Sequence, residues 1–182
     1  DGSGIMPFRI DATLIDNGMP LIVVRAADLG RTGYETVAQL NADIELEAKL
    51  EALRLQAGPM MGLGDVSAKN YPKMCLIAAP RAGGSIATRC FLPHVCHDAI
   101  GVLAAVTLAT ACVLEGSVAH GLADVSPGLR KSVSVEHPTG EFSVELGLDP
   151  TNPHHVIHAA LLRTARLIMR GEVMVPAIAW KG

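Results

Sequence analysis

The sequence predicts an α+β fold in which a curved, mainly antiparallel sheet wraps around one central helix. The chain has 182 residues, enough for one domain with a substantial core. Residues 98–114 are apolar on almost every side, and a helix without a polar face must be enclosed by other elements. About seven short segments with strand-like patterns surround this helix in the sequence. A sheet that curls around the helix would enclose it.

The elements follow one another in a simple order. Asp16-Asn17-Gly18-Met19-Pro20 is a turn between the first two strands, since Asn-Gly tolerates positive φ and proline fixes the next φ. Thr36 is the expected N-cap of a helix over residues 36–56, and Pro153 opens an amphipathic helix over residues 153–170 that ends at Gly171. The predicted strands cover residues 12–15, 21–24, 74–79, 86–92, 132–137, 141–146 and 173–179.

Composition disfavours several classes of function. Aromatic residues make up 3% of the chain, the net charge is -3 and the basic residues are scattered, so no nucleic-acid partner is expected. The apolar stretch from residue 99 to 114 has about sixteen residues, short of the ~20 that span a bilayer, so no membrane partner is expected either. Four cysteines without paired spacing predict free thiols and a cytoplasmic protein.

The segment from residue 91 to 101 is the strongest candidate for chemistry. It places His94, Cys96 and His97 just before the central helix, whose N-terminal N–H groups attract anions. His97 is the best single candidate for proton transfer, because an imidazole titrates near neutrality. Cys96 is a second candidate, since a helix N-terminus lowers the pKa of a thiol. The alternative is structural: His94 ends a loop and Cys96 fills the core.

Other clusters carry weaker signals. Cys90, His94, Cys96 and His97 are all metal-ligand types, but adjacent Cys96 and His97 would struggle to reach one ion and no second motif completes a site, so no metal is expected. No phosphate loop or dinucleotide motif is present, so no cofactor is expected. A first-turn surface cluster is the preferred interpretation of His154, His155 and His158, and a solvated or ion-paired helix face that of Arg163 and Arg166.

Several short motifs follow one another along the chain. They are Ile15-Asp16-Asn17-Gly18-Met19-Pro20, Arg25-Ala26-Ala27-Asp28-Leu29-Gly30, Gly33-Tyr34-Glu35, Met61-Gly62-Leu63-Gly64-Asp65-Val66, Pro72-Lys73, Cys96-His97 with Ala99-Ile100-Gly101, Glu136-His137-Pro138-Thr139-Gly140, Leu162-Arg163-Thr164-Ala165-Arg166, Gly171 and Val175-Pro176. Together they resemble the PrpF family of isomerases, and most closely its 4-oxalomesaconate tautomerase branch. The resemblance covers nearly the whole chain from Asp11 onward, and the motifs are fairly specific in this order.

The resemblance implies a fold and an activity. Family members have the diaminopimelate-epimerase-like fold, with two lobes that each wrap a sheet around a central helix and share a cleft. The implied reaction is the keto–enol tautomerisation of 4-oxalomesaconate, a small polycarboxylate, in the degradation of aromatic acids. The alternatives are a 2-methylaconitate cis–trans isomerase and a non-catalytic truncated lobe that acts as a binding or oligomerisation module.

The resemblance also implies site residues. The catalytic group is the His97 imidazole or the Cys96 thiol, which lie where the epimerases of this fold carry a thiol. Asn17 matches a substrate-contacting asparagine of the related epimerases. With Gly18, Met19 and Asp98 it forms the expected substrate-binding set.

Family members are about twice this length, and the sequence resembles their second half. Residues 1–182 are therefore expected to form a single lobe, with residues 172–180 belonging to the other lobe in the intact fold. The chain starts at Asp1 without a signal peptide, which suggests a processed product or a piece of a longer protein. Self-association or pairing with an N-terminal lobe is expected, and alone the chain should be inactive or nearly so.

Overall fold

A computed structural model describes residues 8–162, 165–176 and 178–179. Seven strands form one sheet, and they lie side by side in chain order. The strands are β1 (Ala12–Asp16), β2 (Pro20–Arg25), β3 (Lys73–Ala78), β4 (Ile86–Phe91), β5 (Arg130–His137), β6 (Gly140–Leu148) and β7 (Val156–Leu161). The α-helices among these residues are α1 (Val37–Asn41), α2 (Ile44–Met60) and α3 (Val102–Val113), and Ala26–Leu29 forms a 3-10 turn.

The sheet is curled and mixed, and four of its six strand pairs are antiparallel. β1–β2, β3–β4, β5–β6 and β6–β7 are antiparallel pairs, whereas β2–β3 and β4–β5 are parallel pairs. A parallel pair needs a crossover connection. The connection from β2 to β3 carries α1 and α2, and the connection from β4 to β5 carries α3.

The two crossovers supply two hydrophobic layers, one on each face of the sheet. The inner layer packs α3 against one face, and nine of the helix's twelve residues are buried. The outer layer packs α1 and α2 against the other face of β2, β3 and β4. The predicted central apolar helix is therefore confirmed, because α3 contacts β1, β2, β5 and β6. No helix in the described part of the chain combines the length and apolar character needed to cross a membrane.

The predicted helix over residues 36–56 is two helices. Thr36 is the N-cap of α1, where it forms a capping box with Gln39. The chain then breaks and restarts at Asp43, whose carboxylate accepts the Leu46 N–H at 3.0 Å and pairs with Arg31 at 2.5 Å. A capped and ion-paired aspartate at this position favours a new helix start over continuation.

The C-terminal predictions were wrong in the described residues. Residues 156–161 form strand β7 instead of the first turns of a helix, and residues 165–170 form no helix. β-Branched Val156 and Ile157 suit a strand, and the free edge of β6 supplies the hydrogen-bonding partner. The predicted strand over residues 173–179 is also not formed by its described residues, 173–176 and 178–179. Arg163 and Ala177 lie outside the described residues.

Candidate active site

The polar motifs converge on one edge of the sheet. The strand directions place the ends of β1, β4 and β5 at the edge where β2, β3 and β6 begin. The turn 16–20, the segment 92–101 and the turn 137–140 therefore lie at this edge, together with the first residue of α3. The turn 16–20 lies close to the start of α3, because a Cβ placed on Gly18 would lie 3.4 Å from Leu103 Cδ2. We call these three segments the α3 edge.

The segment 92–101 folds back along β4 before the helix begins. The Leu92 N–H donates to Val95 O at 2.9 Å, and the His97 N–H donates to Cys90 O at 2.8 Å. Asn41 at the end of α1 holds the same segment, since its Oδ1 accepts the Cys96 N–H at 2.8 Å. These bonds fix an extended path through Cys96 and His97. His94 is half-exposed, with its Nδ1 3.7 Å from a Glu51 oxygen.

The central helix starts later than the sequence predicted. Its first residue is Val102 rather than Asp98, and Gly101 is an extended N-cap with φ -66° and ψ 144°. The first N–H groups of any α-helix have no intrahelical partner, and at this end no N-cap side chain accepts from them. Val102 and Leu103 are 43% and 49% exposed. Uncapped donors and the positive end of the helix dipole suit a carboxylate here.

His97 lies beside this helix start with one ring nitrogen already occupied. The Ala99 N–H donates to His97 Nδ1 at 2.8 Å. Nδ1 is therefore the acceptor, and neutral His97 carries its proton on Nε2. In that form the imidazole presents a hydrogen-bond donor, which suits stabilisation of an oxyanion.

His137 brings a second imidazole to the α3 edge. Its Nδ1 lies 3.3 Å from the Thr139 hydroxyl, which itself donates to Asp98 O at 2.8 Å. The bond from Thr139 to Asp98 joins the β5–β6 turn to the His97 segment. Burial lowers the pKa of His137, and a positive charge on neighbouring His97, when that ring is protonated, acts in the same direction. A lowered pKa keeps His137 neutral, and so able to accept a proton, at neutral pH.

The thiol of Cys96 does not have the lowered pKa that the sequence suggested. Cys96 is 3% exposed and packs in the outer layer. Burial raises the pKa of this thiol to about 11, since low-dielectric surroundings disfavour the thiolate. α3 begins several residues further along, so its N-terminus does not offset that burial.

The residues expected to bind substrate differ in which hydrogen-bonding groups they leave free for a ligand. The Asn17 N–H donates to Thr107 Oγ1 at 3.3 Å, and its Nδ2 donates to Thr110 Oγ1 at 2.9 Å. The Gly18 N–H donates to Asp16 Oδ1 at 3.0 Å. These three donor groups are thus used within the protein, while Asn17 Oδ1 has no protein partner in the described chain.

Met19 and Asp98, the other two residues of the expected set, also lie at the α3 edge. Met19 packs against the inner layer. Asp98 is exposed, and its backbone carbonyl rather than its carboxylate contacts the β5–β6 turn. Neither side chain presents a hydrogen-bond donor to an anionic substrate.

The other ligand-type clusters do not assemble. Cys90 packs in the inner layer and Cys96 in the outer layer, on opposite faces of the sheet. Within the described residues no group of three histidine, cysteine or acidic side chains could hold a metal ion. His155 lies 3.5 Å from Asp149 in the loop before β7, away from the α3 edge.

His137 and Thr139 were not among the site residues predicted from sequence. Their signal was present in Glu136-His137-Pro138-Thr139-Gly140, a histidine and a hydroxyl in the turn of a predicted hairpin. The contact between this turn and Asp98 could not be read from the sequence, because the two bonded residues are 41 positions apart.

The fold is similar to part of a solved structure of about twice this length. The structure superposes on the crystal structure of a methylitaconate-delta-isomerase with a TM-score of 0.69 and 20% identity, covering 85% of this chain and 45% of that one. This likeness supports the expected lobe architecture. The profile of the family described as PrpF protein matches residues 5–176, and the chain belongs to this family.

Two relatives share a higher sequence identity with the chain, and the name of each states an activity. The chain is 54% identical over 174 residues to a 4-oxalomesaconate tautomerase of Pseudomonas putida. The matched region covers 95% of this chain and 47% of the relative. It is also 54% identical to a (4E)-oxalomesaconate Delta-isomerase of Novosphingobium sp., over 91% of this chain and 46% of the relative. The chain thus spans about half the length of the curated relatives it matches.

Proposed function

We propose that this chain forms one half of a tautomerase site for 4-oxalomesaconate. The observation that carries the proposal is the 54% identity to a 4-oxalomesaconate tautomerase over 95% of the chain. The α3 edge agrees with it chemically, since two imidazoles and an uncapped helix start lie together there. The free thiols of all four cysteines support a cytoplasmic setting.

The reaction is a 1,3-proton shift. A base removes a proton from a carbon next to the conjugated carbonyl system, an acid returns a proton at the other end, and the enolate between them needs stabilisation. The uncapped N–H groups at the start of α3 bind a substrate carboxylate. His97 donates from Nε2 to the oxyanion of the enolate, because its Nδ1 is already occupied by the Ala99 N–H.

His137 serves as the base of this half-site. Its lowered pKa leaves it neutral near pH 7. Once protonated it becomes the acid that returns the proton. Cys96, the other catalytic candidate, takes a packing role in this mechanism because its thiol is buried and protonated. Asn17 Oδ1 orients a hydroxyl of the enol form.

A second lobe completes the site. The chain spans about half of its relatives, and a single edge surrounds a substrate on one side only. We place the chain as one of two lobes, the other contributing further acid–base groups from the same or another polypeptide. Alone, the purified chain turns over 4-oxalomesaconate at a negligible rate.

A complementation assay tests both the proposed tautomerase activity and the need for a second lobe. The chain is assayed alone, and then after mixing with the part of the Pseudomonas putida relative that it does not match. Loss of the absorbance of the conjugated keto acid reports the reaction. Activity in the mixture and little in either part supports the proposal. Robust turnover by the chain alone contradicts the half-site, and none in a mixture shown to form a complex contradicts the function.

Two other functions remain as outcomes of this assay. A 2-methylaconitate isomerase would use the same proton shift on another tricarboxylate, and a substrate panel separates the two. We favour 4-oxalomesaconate, because the two relatives described above both carry oxalomesaconate in their names. A non-catalytic lobe would self-associate and would give no turnover on any substrate of the panel, even in a mixture shown to form a complex.

A further inference from the structure

A second cleft lies on the outer face of the sheet, opposite α3. Its volume is about 710 Å³, well above that of a single ion and sufficient for a small organic molecule. We call it the outer-face cleft. It is bounded by the loop between β3 and β4, the outer side of β4 and β5, and the β5–β6 turn. Its lining includes Tyr34, Arg81, Arg89, Glu136, His137 and Glu141.

Arg89 contributes a half-buried positive charge to this cleft. Its Nε donates to Glu35 O and its Nη1 to Thr88 O, both at 2.7 Å. These partners are neutral carbonyls, and no carboxylate of the described chain lies within ion-pair distance of Arg89. Burial lowers the pKa of the guanidinium, and the more distant negative charge of Glu35 offsets that effect only in part.

Arg81 contributes a second cation that likewise has no ion pair in the described residues. Its guanidinium carbon lies 4.3 Å from the centre of the Tyr34 ring, a distance typical of a cation–π contact. The Tyr34 hydroxyl donates to Ala79 O at 2.8 Å. The ring is therefore fixed, and the stacked guanidinium keeps its N–H groups for another acceptor.

The acidic groups of the cleft already have donors. The Glu136 carboxylate accepts the backbone N–H groups of Arg81, Ala82 and Gly84 at 2.7–2.8 Å. Glu141 accepts the hydroxyls of Ser134 and Ser143. Neither acid pairs with Arg81 or Arg89, so both cations of the cleft remain without an anionic partner.

We propose that the outer-face cleft binds a small molecule through an oxyanion group, held by the guanidinium groups of Arg81 and Arg89. Planar guanidinium groups match carboxylate and phosphate oxygens with paired hydrogen bonds. The two guanidinium groups lie on the opposite side of the sheet from α3, so the anion would bind apart from the start of that helix, with His137 bordering both sites.

The two sites share one element. The turn 137–140 lines the outer-face cleft through His137, Pro138 and Gly140, and it contacts Asp98 through Thr139. An anion in the cleft adds negative charge beside the His137 imidazole, and negative charge favours the protonated form. Occupancy of the cleft therefore raises the pKa of His137, which gives the site a route to influence the α3 edge.

Calorimetric titration of the purified chain tests the site without any need for turnover. Tricarballylate serves as the tricarboxylate probe, inorganic phosphate as the phosphate probe, and neutral tricarballylamide as the uncharged probe. We expect one or both oxyanions to bind, more weakly at high salt, and the amide not to bind. Preference between tricarballylate and phosphate identifies the kind of oxyanion.

Matched variants locate the binding. Arg81→Gln, whose side chain is exposed, should weaken binding about tenfold. Arg130→Gln, which removes the same charge at the far end of β5, should leave the affinity unchanged. At a probe concentration near the wild-type Kd, NMR titration of the His137 ring should show its pKa rise in wild type and rise much less in Arg81→Gln. Thermal unfolding verifies that each variant is folded.

Three results would overturn the proposal. They are absence of binding for both oxyanions at millimolar concentration, equal affinity of Arg81→Gln and wild type, and a loss of binding in His97→Ala that Arg81→Gln does not show. The third result would place the anion at the α3 edge instead. The complementation assay reports the proposed function separately, so either idea can fail without the other.

Discussion

At the scale of single residues, the hydrogen bond from the Ala99 N–H to His97 Nδ1 decides what this imidazole can do. It leaves Nε2 as the proton-bearing atom of the neutral ring. A ring fixed in this way can polarise an oxygen without changing its own charge. In the proposed mechanism, proton transfer falls to His137, whose lowered pKa keeps the ring neutral and able to accept a proton.

The donor role of His97 predicts different results from two substitutions. A glutamine amide can place an N–H near the position of Nε2, so His97→Gln should retain kcat within about tenfold of wild type in the complemented enzyme. His97→Ala removes the donor and should lower kcat by about 100-fold. Steady-state kinetics of both variants provides the measurement. Equal losses in the two variants would instead indicate that His97 itself transfers the proton.

The buried thiol of Cys96 predicts low chemical reactivity. With a pKa of about 11, the thiolate fraction at pH 8 is roughly 0.1%, so alkylation should be at least ~100-fold slower than for an exposed cysteine. Mass spectrometry after timed treatment with iodoacetamide measures the rate, and urea-unfolded protein provides the reference. Fast modification of Cys96 in the folded chain would restore it as a catalytic candidate.

At the scale of elements, Glu136 ties the loop between β3 and β4 to strand β5. Its carboxylate accepts three backbone N–H groups of that loop. Glu136→Ala leaves these donors without a protein partner and should lower the free energy of unfolding by about 2 kcal/mol. Glu136→Gln keeps one acceptor oxygen and should cost less. Urea unfolding followed by circular dichroism gives both values.

The pH dependence of stability offers a second check on Glu136. Backbone N–H bonds hold its pKa below the ordinary value despite burial. The unfolded state therefore takes up the proton first as the pH falls. The stabilisation is fully present above about pH 5 and is lost as the pH drops through the folded-state pKa. The difference between wild type and Glu136→Gln should shrink over that window. A constant difference down to pH 3 would contradict this account.

Much of the order of helices and strands was predictable, because many elements are defined by their own sequence pattern and pair with a neighbouring segment of the chain. The turn at Asn17-Gly18 and the hairpin of β5 and β6 are each closed by adjacent residues, and α3 is apolar on every side. β7 was not predictable in this way. Its Val156-Ile157-His158 spacing fits a helix and a strand equally, and pairing with β6 decides between them. Likewise, α3 begins at Val102 rather than Asp98, and Asp98 O is engaged by distant Thr139.

The candidate site was predictable only in part for a related reason. Cys96 and His97 were visible as chemical groups next to an apolar helix. The contacts that define their roles join residues far apart in sequence: Asn41 with Cys96, and Asn17 with Thr110. Burial of the Cys96 thiol likewise follows from packing against α1 and α2, which no local pattern encodes.

At the scale of the whole molecule, the segment from residue 165 to 176 presents an unusual amount of apolar surface. Ile168, Val173 and Met174 are 94%, 88% and 87% exposed. Contiguous exposed apolar side chains favour association with another surface. We therefore predict that the purified chain self-associates at micromolar concentration and above, which sedimentation velocity can measure.

Paired variants assign that association to this segment. The double variant Ile168→Ser/Met174→Ser should shift the chain toward the monomer. Ile44→Ser is the matched control, because Ile44 is 79% exposed but lies alone at the start of α2. Equal association of wild type and the double variant would place the contact elsewhere. Addition of the complementary half of the relative should also reduce self-association.

The two parallel strand pairs set the order in which the molecule can fold. Leu21 pairs with Lys73 and Ile86 with Val135, so each parallel pair closes a loop of roughly fifty residues. The β1–β2 hairpin, the β3–β4 hairpin and the β5–β7 meander need only local contacts and can form within microseconds. Joining them is slow, because the entropy of closing a long loop is lost before its contacts form. His97 and α3 lie inside the second loop, so the chemical groups of the α3 edge come together only in the last steps of folding.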